Sequence, residues 1–298
     1  MSADTVPAAG SAQDRLTPPS RPRRMPRATL YWIAKHALAI ALALMFLGPL
    51  VFIALTALMT DAQALTSQLW PQSWNWGNFS EIFTTTPLLR WIVNTMVYSL
   101  SATALMLASS VPVAYALARI RFRGRKTAFL LVILMMLLPP QVVAVPIYTL
   151  WASMGLTNSL WPLIIPMVFG DAFSIFLLRQ FMLTIPREYS DAARVDGCGE
   201  FTTMLRVILP MARPAIAAVA LFQFFYCWND YYGPLLYAST NADSWTLSLG
   251  IASFKALHSV QWNLTMAATI LVMAPVIIVF FLAQKVFIEG VTLTGVKG

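Results

Sequence analysis

The chain has 298 residues, of which 58% are hydrophobic and only 11% charged, with a formal net charge of +8. Soluble domains carry about a quarter charged residues, so this composition excludes an ordinary soluble fold. The positive balance does not describe a nucleic-acid surface either. Eighteen of the twenty Lys and Arg residues fall in four clusters, at 15–35, 119–126, 179–213 and 285–297, and only Arg90 and Lys255 lie elsewhere. A nucleic-acid binder groups its cations on a folded face, not in turns between apolar stretches.

In chain order, residues 1–29 are rich in Pro, Ala, Ser and Arg without apolar periodicity, and are expected to form a disordered tail. They do not look like a signal peptide, because no short apolar core with a small-residue cleavage site follows. Residues 30–298 form the membrane domain. Runs free of Asp, Glu, Lys and Arg cover 37–60, 91–118, 127–170 and 256–284, against about 20 residues needed for a helix to cross the hydrocarbon core. The run from Thr127 is long enough for two crossings, and 214–237, interrupted by Asp230, supplies another. The prediction is an all-α integral membrane protein of six transmembrane helices: 37–58, 91–118, one from Thr127 kinked at Pro139-Pro140, 161–178, 214–237 and one ending near Phe287. The basic clusters share one side, which the positive-inside rule assigns to the cytoplasm, together with both termini. Segment 60–90, with Trp70, Trp74 and Trp76, then lies outside. Cys198 falls in a cytoplasmic loop and Cys227 in a span, so neither a disulfide nor a metal site is expected.

The loop 179–213 joins spans four and five yet keeps helical character. Ala192, Ala193 and Val195 precede Gly197, while Phe201, Met204, Leu205 and Ile208 follow at spacings of three and four. That pattern predicts two short amphipathic helices meeting at a turn, with Gly197 supplying positive φ. Small Ala192 and Ala193 would admit another surface, and Asp191, Arg194 and Asp196 could pair across the contact. The residues alone describe a docking platform or a helix lying at headgroup level.

Asp171 and Asp230 fall within or close to apolar spans, where a carboxylate is costly and faces the bundle interior or a water-filled cavity. With Asn94, Trp228, Asn229, Tyr231 and Tyr232 they form a candidate substrate pathway: hydroxyl-binding groups beside aromatic rings. The competing expectation is that each carboxylate caps or pairs structurally. Carboxylates carrying protons in an ATP-independent secondary transporter are a further alternative, and a phosphodiester cargo is disfavoured by the lack of Lys or Arg inside a span. No P-loop and no nucleophile–base spacing is present.

The loop resembles the coupling loop of ABC importer permeases, which reads Glu-Ala-Ala, three residues, Gly, and then Ile-x-Leu-Pro. Here Asp191-Ala192-Ala193, Gly197 and Ile208-Leu209-Pro210 fit, with Leu-Pro directly after Ile208 and Val207 one position earlier, Asp191 for the usual Glu and Cys198 for the Ala after the glycine. Trp91-Ile-Val-Asn94, Ala114-Tyr-Ala-Leu-Ala-Arg119, Leu138-Pro-Pro140, Phe176-Leu-Leu-Arg-Gln-Phe181, Trp228-Asn-Asp230, Thr246-Leu-Ser-Leu-Gly250 and Gly295-Val-Lys-Gly298 are similar to the sugar-importing branch. The resemblance implies a non-enzymatic subunit of the bacterial inner membrane. Its partners would be a second permease, two ATPases that hold ATP and Mg, and an extracytoplasmic solute-binding protein delivering a carbohydrate. Close relatives handle glycerophosphodiesters. Coupling would fall to Glu188, Asp191, Ala192, Ala193, Arg194, Asp196, Gly197, Leu209 and Pro210, and the C-terminal tail would reach toward the ATPases.

Overall fold

A computed structural model describes residues 27–257 and 261–295. The disordered-tail expectation for 1–26 and the role expected of the last three residues lie outside the described residues. In chain order the helices are α1 (Arg27–Ala57), α2 (Asp61–Ala64), α3 (Asn78–Thr85), α4 (Leu88–Arg119), α5 (Arg125–Leu137) and α6 (Pro140–Ser153). After them come α7 (Trp161–Ile164), continued by the 3-10 turn Ile165–Phe169, then α8 (Ala172–Thr184) and α9 (Glu188–Val195). Next are α10 (Glu200–Thr203), a π-helical turn Met204–Ile208, α11 (Leu209–Met211), α12 (Arg213–Asn229) and α13 (Tyr232–Ala238). A 3-10 turn Ala242–Ser244, α14 (Leu247–Leu257) and α15 (Trp262–Gly295) complete the order, with no strand among the described residues.

Four stretches among the described residues are long and apolar enough to cross a membrane: Tyr31–Ala57, Leu88–Arg119, Trp161–Thr184 and Trp262–Leu282. Two more arise only if bent pairs are counted as single spans, α5 with α6 and the 200–211 helix with α12. The expected kink after Thr127 is a 95° break between α5 and α6. Pro139 and Pro140 both lack the N–H that would continue the helix, and Leu138 before them is forced to extended backbone, φ −78° and ψ 117°. Pro140 then starts α6, where a missing N–H costs nothing. The single span expected over 214–237 is also divided: α12 stops at Asn229, and Asp230 turns the chain into α13.

The central helix is α4, packed against α8, α12 and the 161–169 segment. Small residues recur among its buried positions: Ser99, Ala102, Ser110, Ala114 and Ala118. Apolar tails of lipid compete equally with apolar side chains, so close backbone approach through small residues is what favours helix association in a bilayer. One cluster of buried side chains joins Ala114, Tyr115 and Ala118 of α4 to Leu178 and Met182 of α8, to Met204 and Ile208, and to Ala215 and Val219 of α12. Another, at the opposite end of α4, joins Trp91 to Phe224, Trp228, Leu247 and Leu264. Gly250 lies so close there that an added Cβ would strike the Trp91 ring.

Candidate functional site

The 186–213 loop is built outward from its helix ends. α9 has Glu188 and Asp191 in its first turn and Arg194 in its last, the order that complements the helix dipole. It ends in a Schellman motif: Gly197 N–H donates to the Arg194 carbonyl at 3.0 Å and Cys198 N–H to the Ala193 carbonyl at 2.9 Å. Gly197 takes φ +81°, the left-handed turn expected of it. The second helix, 200–211, is not regular. Pro210 has no N–H for the Arg206 carbonyl, the ladder widens into the π turn, and the chain bends by 81° into α12 with Leu209 and Pro210 just before the corner.

A compact polar joint fixes this loop to the rest. Arg194 bonds Asp191 at 2.8 Å and Glu200 at 2.9 Å, and Tyr115 of α4 donates to the other Glu200 oxygen at 2.8 Å. The Glu200 hydrogen bond holds the Arg194 guanidinium above its ordinary range. Arg194 in turn holds the Glu200 carboxyl below the usual carboxylate range, against the opposing effect of partial burial. At the base of the loop, buried Arg119 donates to the Ile185 carbonyl at 2.6 Å. Arg179 donates to the Leu117 carbonyl at 3.2 Å while its guanidinium lies 3.7 Å over the Phe129 ring. Glu200, Tyr115, Arg119 and Arg179 were not singled out individually in the sequence. The motifs 114–119 and 176–181 held three of them, but their partners are about 60 to 85 positions away.

Two expectations for the loop change. Ala193 is buried against the chain itself, so only Ala192 of the pair is free to face another surface. Arg194 pairs within the loop with Asp191 and with Glu200, while Glu188 and Asp196 stand exposed. Beside these charges the loop exposes an apolar set, Tyr189, Val195, Phe201 and Leu205, with Val195 at 88%.

The intramembrane candidates are placed one by one. Asn94 donates to the carbonyls of Asp243 and Trp245 at 2.7 and 2.9 Å, clasping the 239–246 loop to α4 beside the Arg90–Asp243 ion pair. Asp230 accepts from Tyr98 Oη at 2.9 Å and from the Gly233 N–H at 3.0 Å, so it pins the α12–α13 corner to α4. Trp228, 1% exposed, stacks on Phe224 in the core and offers no face to a substrate. Asn229 bonds the Phe225 carbonyl one turn back, and Tyr231 and Tyr232 are exposed. Asp171 caps α8 through the Ser174 N–H at 2.7 Å and lines a cavity with Phe173, Gln223 and Tyr226. A further hub lacked any sequence signal: fully buried Asn78 donates to the Ala57 and Met59 carbonyls and accepts from Asn263.

Residues 110–292 match the family model of the binding-protein-dependent transport system inner membrane component. The chain belongs to this family. The match spans α8 through α12 and so includes the whole Schellman-terminated loop. Permeases similar over nearly the full length include the arabinooligosaccharides transport system permease protein AraQ of Bacillus subtilis (strain 168), 30% identical over 93% of this chain and 99% of its own. The diacetylchitobiose uptake system permease protein NgcG of Streptomyces coelicolor is 28% identical over 84% of each chain. The sn-glycerol-3-phosphate transport system permease protein UgpE of Yersinia pestis is 32% identical over 86% of this chain and 94% of its own. Among solved structures, a chain of a bacterial ABC transporter that imports the acidic polysaccharide alginate superposes with a TM-score of 0.77, at 21% identity over 89% of this chain and 99% of that one. The two chains share a fold. As a family member the chain is a multi-pass membrane protein of a transport system, not of a catalytic family.

Proposed function

We propose that this permease is one of two membrane subunits of an ATP-driven importer, forming with the second permease a pathway for a carbohydrate delivered by a solute-binding protein. The observation that carries the reading is the loop 186–213. It is an apolar face held rigidly on an ionic joint, tied by Tyr115 and Arg119 to the helix that organises the bundle. A platform of that kind transmits a rigid-body displacement from a docked partner into the spans. In this reading Ala192, Val195 and Phe201 meet the ATPase, Gly197 sets the angle of α9, and Asp191 and Arg194 keep the loop stiff. In this reading the chain crosses six times with both termini in the cytoplasm, as the positive-inside rule requires, with α5 and α6 together making one crossing and α12 another. ATP and Mg are bound by the two ATPases, and the bacterial inner membrane is the location that the family description supports.

Carbohydrate cargo is supported by relatives named for arabinooligosaccharides and diacetylchitobiose. The relative named for sn-glycerol-3-phosphate favours a second reading, a polar organic phosphate. The test is to purify the chain with its membrane partners, ask whether an ATP-binding-cassette protein co-elutes, and measure ATP hydrolysis with and without loaded binding protein. Co-elution and stimulation are the expected result. Solute flux driven by an ion gradient, with no ATPase in the preparation, would overturn it.

A further inference from the structure

We propose that the cavity between α8 and α12 is a subsite for a neutral saccharide ring, so that the cargo is uncharged and not acidic. The proposal rests on the importer reading above. The cavity measures about 500 Å³ and is lined by Asp171, Phe173, Ser174, Gln223 and Tyr226 among others. Asp171 spends one oxygen, Oδ2, on both of its bonds, to Ser174 N–H and Ser174 Oγ at 2.7 Å each. Its Oδ1 has no partner among the described residues. The cap itself needs no charge, since Ser, Thr or Asn serves as well, whereas a carboxylate in an apolar span is costly. The capping bond therefore does not explain why an acid stands there.

Gln223 carries the second observation. It is buried, and its amide Nε2 is offered only sulfur, Cys227 Sγ at 3.2 Å and Met167 Sδ at 3.6 Å, both weak acceptors. Its Oε1 accepts nothing among the described residues. Tyr226 presents a phenol likewise without a bond among them. Phe173 and Phe222 meet edge to face, with centroids 6.3 Å apart, and supply an apolar wall. Two unused oxygen acceptors, a phenol and an aromatic wall match a sugar, whose hydroxyls donate around a ring with an apolar face. No Lys or Arg lines the cavity. A phosphate or uronate there would meet the Asp171 carboxylate in low dielectric with no cation to offset the repulsion.

The experiment uses the complete importer in proteoliposomes, with its binding protein. Uptake is measured for arabinotriose, diacetylchitobiose, maltotriose, glycerol-3-phosphate and an alginate trisaccharide. We expect uptake of at least one neutral probe and of neither anion. Two variants then address the cavity: Tyr226→Phe, which removes one hydroxyl from an exposed side chain, and Asp171→Asn, which keeps the helix cap. Each should raise KM for the transported sugar about three- to tenfold, the scale of one hydrogen bond, at unaltered complex yield. Uptake of either anion, failure to take up any neutral probe while hydrolysis responds to the binding protein, or wild-type KM in both variants overturns the proposal. Hydrolysis that ignores the binding protein overturns the importer reading itself, and the cargo assignment with it.

Discussion

Replacing Gly197 isolates the turn from everything around it. Gly197 sits at φ +81°, and a Cβ built there meets no atom within 4 Å. An alanine or valine therefore suffers no clash, and the cost is that of an L-residue in left-handed backbone, about 1–2 kcal/mol. That corresponds to roughly a 5- to 30-fold shift away from the native turn. The loop is still tied by Arg194, Glu200, Met204 and Ile208, so the chain should insert and assemble while α9 loses its fixed angle. In proteoliposomes, ATP hydrolysis stimulated by loaded binding protein should fall by up to that factor for Gly197→Ala, and more for Gly197→Val, whose branched side chain tolerates positive φ least. Gly197→Asn is the control, because asparagine accepts the left-handed region at helix ends, and it should stay near wild type. Stimulated turnover at the wild-type level in Gly197→Val would refute the claim that this turn aims the coupling helix.

Four further outcomes are expected. In a Cys198→Ser background, an impermeant thiol reagent should label Ser73→Cys but not Val195→Cys in intact cells, both sites being exposed; the reverse pattern contradicts the cytoplasmic assignment of the loop. Because the Glu200 carboxyl is held low, its ion pair stabilises the loop above the ordinary carboxylate range and is lost as pH falls through the lowered folded value. Amide exchange over 188–203, corrected for intrinsic rates, should accelerate in acid for wild type and already be fast at neutral pH in Glu200→Gln. Asp230→Ala leaves the Tyr98 hydroxyl and the Gly233 N–H without their acceptor, a loss of about 1–3 kcal/mol each where the group stays buried, so complex yield should drop while Asp230→Asn assembles; equal yields would remove Asp230 from the joint. Gly250→Ala should lower the melting temperature, because the new methyl runs into the Trp91 ring and overpacking costs about 1–3 kcal/mol.

Features that depend on a residue's own neighbours in sequence were legible before any coordinates. The uncharged runs and the helix–glycine–helix rhythm around Gly197 both express local chemistry, and the Schellman turn reproduces the second of these. Features that depend on a distant partner were not. Nothing near Asp230 names Tyr98, nothing near Asn94 names the Asp243 and Trp245 carbonyls, and Glu200 gained importance only when Arg194 and Tyr115 closed around it. The Pro139-Pro140 pair showed that a helix would be interrupted, but a right-angle break and a mild kink share the same missing donors, and packing decides between them. Ala192 and Ala193 illustrate the same limit: two adjacent small residues look alike in sequence, although the fold buries Ala193 and leaves Ala192 at the surface.

The central claim is that the apolar face of α9 and α10 is where the ATPase docks. A photo-crosslinking amino acid at Val195, the most exposed residue of that face, tests it directly in membranes carrying the whole complex. The account requires an adduct with an ATP-binding-cassette subunit at Val195, changed in yield by ATP, and none from the same probe at Trp70. Adducts with lipid alone at Val195, or an ATPase adduct at Trp70, would contradict it.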